Sequence, residues 1–411
     1  MTFPLLYIDP GTGSMLFSIL IGAAATLYFV FRAVIIKLRV VLSGDRPAVS
    51  SVSCPYVIYN EGKQYWNVFK PVLDEFENRG TQVLYLTSAS EDPAFEAGYN
   101  HVKCEFIGSG NRAFARLNIL SADILLMTTP GLDVYQLKRS KMVKHYSHIL
   151  HAPSDAVMYR LFGIDYFDSI LLNGDYQAKD IRTLETLRGL PQKCLVTVGC
   201  TYLDVAAEKI KSLAKEEERP FTVLISPSWG PSALLSRYGA KLVDPLVKTG
   251  WRIIVRPHPQ SRKSENAMLE KLTERYSGAA NIEWDFEIEN IFSLAKSDIM
   301  ISDFSGIIYD YMFLFNKPVM YVLQHFDMRL YDGYDFGENA INELWMFRTL
   351  KETCVEIKEE HFEFIAETIQ KVTGTGEFEA ARLEAKKTAW AYQGEAGKRV
   401  VDFMTEIVNN G

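Results

Sequence analysis

Cysteine is scarce in this chain of 411 residues, and no two of its five cysteines form a C-x-x-C pair. Cys54, Cys104, Cys194, Cys200 and Cys354 are odd in number and scattered. That excludes a disulfide scaffold, argues against a thiolate zinc site and suits reduced thiols in a cytosol. An excess of basic charge is missing too. Lys and Arg total 44 against 51 Asp and Glu, a formal net charge of −7. Electrostatics therefore give no reason to expect nucleic acid as a partner. Internal repeats and low-complexity tracts are absent. A content of 48% hydrophobic and 23% charged residues excludes a disordered or fibrous chain. Long apolar runs are also absent, with one exception.

Pro10 to Phe31 is a stretch of 22 residues without a charged side chain. A mean hydropathy of −0.03 over the whole chain conceals it. A membrane-spanning helix needs roughly 20 apolar residues. A cleavable signal peptide would place basic residues before the run, but residues 1–13 hold no Lys or Arg. The stretch predicts one transmembrane helix, about residues 12–36. Arg32, Lys37 and Arg39 follow it, which keeps the large C-terminal part cytosolic and the N-terminus outside. Ser14, Ser18, Gly22 and Thr26 form a small-residue stripe. Such stripes let helices pack closely in lipid, so association of copies through the span is one expectation, although small residues are common in spans anyway. The preceding Asp9–Ser14 turn lacks the Gly-Lys-Ser/Thr of a phosphate loop.

Residues 43–55 read as a linker. Beyond it, short apolar runs alternate with amphipathic stretches, the pattern of parallel sheets covered by helices. Expected strands in a first α/β domain, 56–205, include Tyr56–Tyr59, Val83–Thr87, Ile124–Thr128, Ser169–Leu172 and Leu195–Val198. A charged segment, Ala206–Arg219, opens a second α/β domain, 206–390. Its expected strands are Thr222–Ile225, Arg252–Val255, Ile299–Ser302 and Val319–Val322. Helices are expected at Trp66–Arg79, Tyr176–Arg188, Leu234–Lys248, Glu265–Tyr276 and Gly306–Phe315, and a C-terminal helix within 391–411. Two doubly wound domains place ligands at strand C-termini, in the cleft between them.

Four strand ends carry the candidate chemistry. Val255-Arg256-Pro257-His258-Pro259 frames one imidazole between two prolines, behind an arginine suited to phosphate. Ile149-Leu150-His151-Ala152-Pro153-Ser154 places another histidine before an expected helix near Ser154. His145, His148 and His151 are spaced by three, a step that gathers no metal site on a strand or a helix. Ser302-Asp303-Phe304-Ser305-Gly306 reads strand, turn, helix, with Ser305 as N-cap and Gly306 open to close approach. A helix start of this kind holds phosphate well. Ser226 and Ser228, in Ser226-Pro227-Ser228-Trp229-Gly230, occupy the equivalent place after Thr222–Ile225. Asp327, Asp332 and Asp335 follow the last of these strands and are expected as solvated loop carboxylates or as contacts to substrate.

The strand-end His151, the Arg256-Pro257-His258-Pro259 run and Asp303-Phe304-Ser305-Gly306, with Asp310 and Lys317-Pro318 following, come in the order of one family. Over roughly residues 56–390 the chain resembles the CDP-glycerol glycerophosphotransferases, the teichoic acid primases and polymerases. It departs from them at Ala152, where the family has glycine, at Gly230, where it has arginine, and at Gly306, where it commonly has serine. The resemblance implies a GT-B pair of Rossmann-like domains and transfer of glycerol phosphate from CDP-glycerol to an acceptor hydroxyl, releasing CMP. It places the family's two catalytic histidines on His151 and His258, and its donor-phosphate loop on Asp303–Gly306.

The residues fit that chemistry. His151 is expected as general base, and Arg256, His258 and the Ser305 helix start as the phosphate cradle. No carboxylate cluster demands a metal, and no resident cofactor is assigned. The expected partners are a nucleotide-activated donor, a lipid-linked or polysaccharide acceptor, and the inner membrane surface. A nucleotide-sugar glycosyltransferase or epimerase would use the same fold. A catalytically silent binding module would keep it too.

Overall fold

The computed structural model describes residues 27–28, 54–213, 218–287, 289–323, 327–337 and 340–410. The expected transmembrane run, apart from Leu27 and Tyr28, and most of the 43–55 linker lie outside these residues. Among the described residues no helix is long and apolar enough to cross a membrane. Two compact units divide at the linker, Met1–Ser53 and Cys54–Gly411. The second holds two parallel sheets.

The first sheet comprises β1 (Tyr56–Asn60), β2 (Val83–Thr87), β3 (Val102–Phe106), β4 (Ser121–Met127), β5 (Met142–Ile149), β6 (Ser169–Leu172) and β7 (Cys194–Thr197). Their order is β3-β2-β1-β4-β5-β6-β7. The second sheet comprises β8 (Thr222–Ile225), β9 (Arg252–Val255), β10 (Ile282–Trp284), β11 (Ile299–Ser302), β12 (Val319–Tyr321) and β13 (Val355–Glu356). Its order is β10-β9-β8-β11-β12-β13. Central strands such as β1 and β8 are buried along their whole length. Helices on both faces of a parallel sheet require that, so these strands read as unbroken apolar runs. The strand order reverses between β1 and β4, and again between β8 and β11. Such switch points open a crevice at the strand C-termini.

Helix Trp66–Asn78 shows how the faces are covered. Val68, Phe69, Val72, Leu73 and Phe76 form its buried stripe, the spacing of one helix face. Across it lies the C-terminal helix Ala396–Asn410, whose Val400, Val401, Phe403 and Met404 join the same core. The chain end thus packs beside the first sheet, although it follows the second. Gly397 makes the approach possible: a Cβ there would stand 2.4 Å from the Pro71 carbonyl oxygen.

Two local expectations are corrected. The stretch Leu234–Lys248 is two helices, Leu234–Arg237 and Ala240–Val247, divided at Gly239 with φ +39°. A left-handed residue ends a helical turn. No long helix begins near Ser154; a single 3-10 turn, Ala156–Met158, stands there. Asp155 instead binds the start of helix Trp345–Thr353, accepting from the Trp345 and Met346 amides at 2.8 Å each. That carboxylate therefore ties the loop after β5 to the second half of the unit.

Candidate active site

The loops after β8 and β11 meet at the second switch point. Asp303 is 1% exposed. One oxygen accepts from the Ser228 amide at 2.9 Å, and the other from Ser228 Oγ at 3.0 Å and the Leu234 amide at 2.9 Å. Ser302 Oγ donates to the Ser226 carbonyl at 2.6 Å. Burial raises the Asp303 carboxyl despite its bonds. The Ser302, Asp303 and Ser228 side chains thus brace one loop against the other. Replacing Asp303 with alanine should leave the Ser228 and Leu234 amides buried without acceptors, at about 1–3 kcal/mol each. A chemical denaturation series should show that loss as a lower midpoint.

Arg256 is likewise held by the fold. It is 6% exposed, and Nη1 donates to Asp285 at 2.5 Å while Nη2 donates to the Glu287 carbonyl at 2.7 Å. Burial works to raise Asp285, but bonds from Ser293, the Glu287 amide and Arg256 outweigh it and hold the carboxyl low. The guanidinium is a buried strut between β9 and the segment after β10. It borders the cleft, yet its charge is matched by Asp285.

His258 faces the cleft. A cavity of about 290 Å³ is lined by His258, Ser226, Asn290, Ser305 and Gly306 among others. The Gln260 amide donates to Nδ1 at 3.1 Å. The neutral ring then carries its proton on Nε2, which makes it a hydrogen-bond donor. Burial lowers its pKa, with Glu265 opposing, so neutral is its form at pH 7. The Trp229 ring lies 6.3 Å away and is about half exposed. Gly230 has φ +96°, a conformation that favours glycine over arginine. Helix Ile307–Phe315 points its positive end at this space. Its N-cap is Gly306, with no side-chain cap bond, so Ser305 does not cap as expected. Gly306 has an ordinary φ of −59°, and a Cβ there would touch nothing within 4 Å. The room above it is open to a ligand.

His151 stands across the cleft, after β5. Thr128 Oγ1 donates to the Ile149 carbonyl at 2.9 Å and meets His151 Nδ1 at 2.9 Å. Its one proton serves the carbonyl, so toward the ring it can only accept. That network assigns the His151 proton to Nδ1 and leaves a lone pair on Nε2. The Tyr159 hydroxyl lies 3.1 Å from the same Nδ1. Tyr65 and Tyr159 present their rings at 5.0 and 5.7 Å between centroids. Burial pushes His151 down to about 4. The other two histidines go elsewhere. His145 Nε2 meets Ser169 Oγ at 2.9 Å, and His148 is packed between Tyr159 and Phe167.

Neighbouring cavities that share lining residues lead from one histidine to the other. His151 lines a cavity of about 280 Å³ and the next of about 270 Å³. Gly306 lines that second cavity and the His258 cavity beyond it. Asp310 forms part of the wall between, accepting from the Tyr202 hydroxyl at 3.1 Å and from Asn290 at 3.4 Å. Burial pushes it up to about 7. Lys317 donates to the Ala295 and Ser297 carbonyls at 2.9 and 2.5 Å and serves the fold. Asp332 and Asp335 both bind Arg188, at 2.7 Å. Asp327 pairs with Arg329. One cleft carboxylate escaped sequence reasoning. Glu61, the residue after β1, lines the His151 cavity. Burial raises it, while the neighbouring Thr129 and Tyr65 hydroxyls favour its charged form.

Residues 236–404 match the model of the CDP-glycerol:poly(glycerophosphate) glycerophosphotransferase family. This stretch includes His258 and the Asp303–Gly306 loop. Solved structures of the wall teichoic acid polymerase TagF align over most of the chain. One has 14% identity, a TM-score of 0.57 and coverage of 94% of this chain and 97% of that one. Another, soaked with CDPG, has 11% identity, a TM-score of 0.57 and coverage of 92% and 98%. UDP-GlcNAc 2-epimerase from Neisseria meningitidis, bound to UDP-GlcNAc, aligns at 13% identity with a TM-score of 0.50, covering 85% and 99%. Identities this low speak for the shared two-sheet fold. No curated protein sequence matches the chain. Residues 236–404, with His258 and the Asp303–Gly306 loop, are thus similar to the CDP-glycerol glycerophosphotransferase family, and the chain shares the two-sheet fold of these solved structures.

Proposed function

We propose that the protein transfers glycerol phosphate from CDP-glycerol to a hydroxyl of a lipid-linked or polysaccharide acceptor, in the synthesis of a teichoic-acid-like envelope polymer. The observation that carries this reading is the pair of strand-end histidines facing one cleft, His151 and His258, joined through cavities that share Gly306. The acceptor oxygen attacks the β-phosphorus, and its proton passes to His151 Nε2. The new O–P bond forms as the bond to the α-phosphate oxygen breaks, and CMP leaves. His258 Nε2–H and the helix start at Gly306 hold the phosphate oxygens as charge shifts between them. Buried Arg256 keeps the His258 loop in place.

The Pro10–Phe31 run would anchor the enzyme in the inner membrane as a single span, its two sheets on the cytosolic side. Nucleotide-activated donors are cytosolic, and lipid-linked acceptors expose their head groups at that surface. The likeness to a UDP-GlcNAc 2-epimerase gives a second reading, a nucleotide-sugar enzyme. A release assay separates them. Incubation with CDP-glycerol and membrane extract should yield CMP, and a UDP-sugar should yield no UDP. The reverse pattern supports the second reading; tight CDP-glycerol binding without CMP release supports a silent binding module.

A further inference from the structure

The geometry points to Glu61 as the residue that positions the acceptor, and to an acceptor that ends in neighbouring hydroxyls, a vicinal diol of a sugar or polyol. The inference rests on the transferase reading above and concerns the half of the cleft away from the donor loops. Glu61 directly follows β1, and Thr128 and Thr129 directly follow β4, the two strands where the order of the first sheet reverses. That crevice is where open α/β sheets hold ligands. His151, which contacts Thr128, is the proton acceptor of the same crevice.

The cavity that His151 and Glu61 share has a particular chemistry. Tyr65, Tyr159 and Tyr331 supply aromatic faces, while the Gln177 amide is taken up by the Asn173 amide and the Ser154 carbonyl. Two carboxylates line it, but Asp155 is fully engaged by the Trp345 and Met346 amides. Glu61 makes no ion pair among the described residues and is only partly buried; the Thr129 and Tyr65 hydroxyls use two of its four lone-pair sites and leave two for a ligand. A carboxylate presents two acceptor oxygens and can take two O–H donors at once. Neighbouring hydroxyls match that pair. One of them, held by Glu61, brings the other to His151 Nε2. A phosphate monoester at the same place would meet like charge, which disfavours it.

Calorimetry with soluble acceptor analogues tests this without turnover, so it stands apart from donor identity. An octyl glycoside bearing a vicinal diol should bind the wild-type protein about 10- to 100-fold more tightly than its monodeoxy analogue, the loss of one charge-assisted hydrogen bond. Glu61→Gln should erase that difference while CDP-glycerol affinity stays unchanged. In turnover, Glu61→Gln should raise KM for the acceptor far more than it lowers kcat. Equal wild-type binding of the two glycosides would overturn the proposal, as would a diol preference that survives in Glu61→Gln. Failure of CMP release by wild-type protein would count against the transferase reading and leave the glycoside comparison decisive for Glu61.

Discussion

His151→Ala should lower glycerol phosphate transfer about a hundred- to ten-thousand-fold, the usual contribution of a placed general base. CDP-glycerol affinity should hardly change, because His151 lies on the far side of the cleft from the donor loops. The mutant should still fold: the ring lines a cavity, and its one hydroxyl network, through Thr128, keeps the Ile149 carbonyl bond. The pH profile gives a second reading of the same residue. Burial pushes His151 to about 4, from a usual 6.5. Protonation occupies Nε2 and removes the base. The acid limb of kcat/KM should therefore fall below the ordinary histidine range, with a flat rate from pH 6 upward on this account. Stability follows the same shift. Between 6.5 and about 4 the unfolded chain binds the proton that the folded state refuses, so this group makes folding weaker as pH falls through that window. Near-wild-type turnover by purified His151→Ala would remove it from the reaction.

His258→Ala should act differently. Its Nε2–H is placed to donate to phosphate, and loss of one such preorganised donor costs about 100- to 1000-fold in rate. Because the donor phosphates contact it before the reaction too, CDP-glycerol binding should weaken as well. The split is diagnostic: His151→Ala affects turnover alone, while His258→Ala affects turnover and donor affinity. His258→Gln, which keeps an N–H at similar reach, should recover part of the loss. A charged imidazole is not required, since the Gln260 amide donates to Nδ1 and burial keeps the ring neutral at pH 7. Unchanged donor affinity and turnover in His258→Ala would contradict its placement.

Legibility from sequence followed burial. β2, β6, β8, β9 and β11 match their expected bounds because each is an unbroken apolar run between helices. β3, β10 and β13 escaped notice. They are edge or near-edge strands, and Lys103, Glu105, Glu283 and Glu356 give them polar faces. Charged edges are common because they discourage pairing with other chains. The histidines were legible because proline-framed loops at strand ends stand out in sequence. The duties of their neighbours were not. Arg256 also pairs with Asp285, distant in sequence, because β10 pairing with β9 brings the two together. Asp303 also braces the β8 loop, a contact that only the folded sheet creates. Glu61 carries no motif. Its only signal is position beside a strand-order reversal, and strand order is a property of the folded sheet.

The most direct measurement follows label from CDP-glycerol carrying radioactive glycerol into acceptor, with CMP counted in parallel. Wild-type protein, supplied with membrane extract, should place one labelled glycerol phosphate on acceptor for each CMP released, and His151→Ala should abolish both together. CMP release with no label reaching acceptor, or label transfer undiminished in both histidine variants, would contradict the assignment of this cleft to glycerol phosphate transfer.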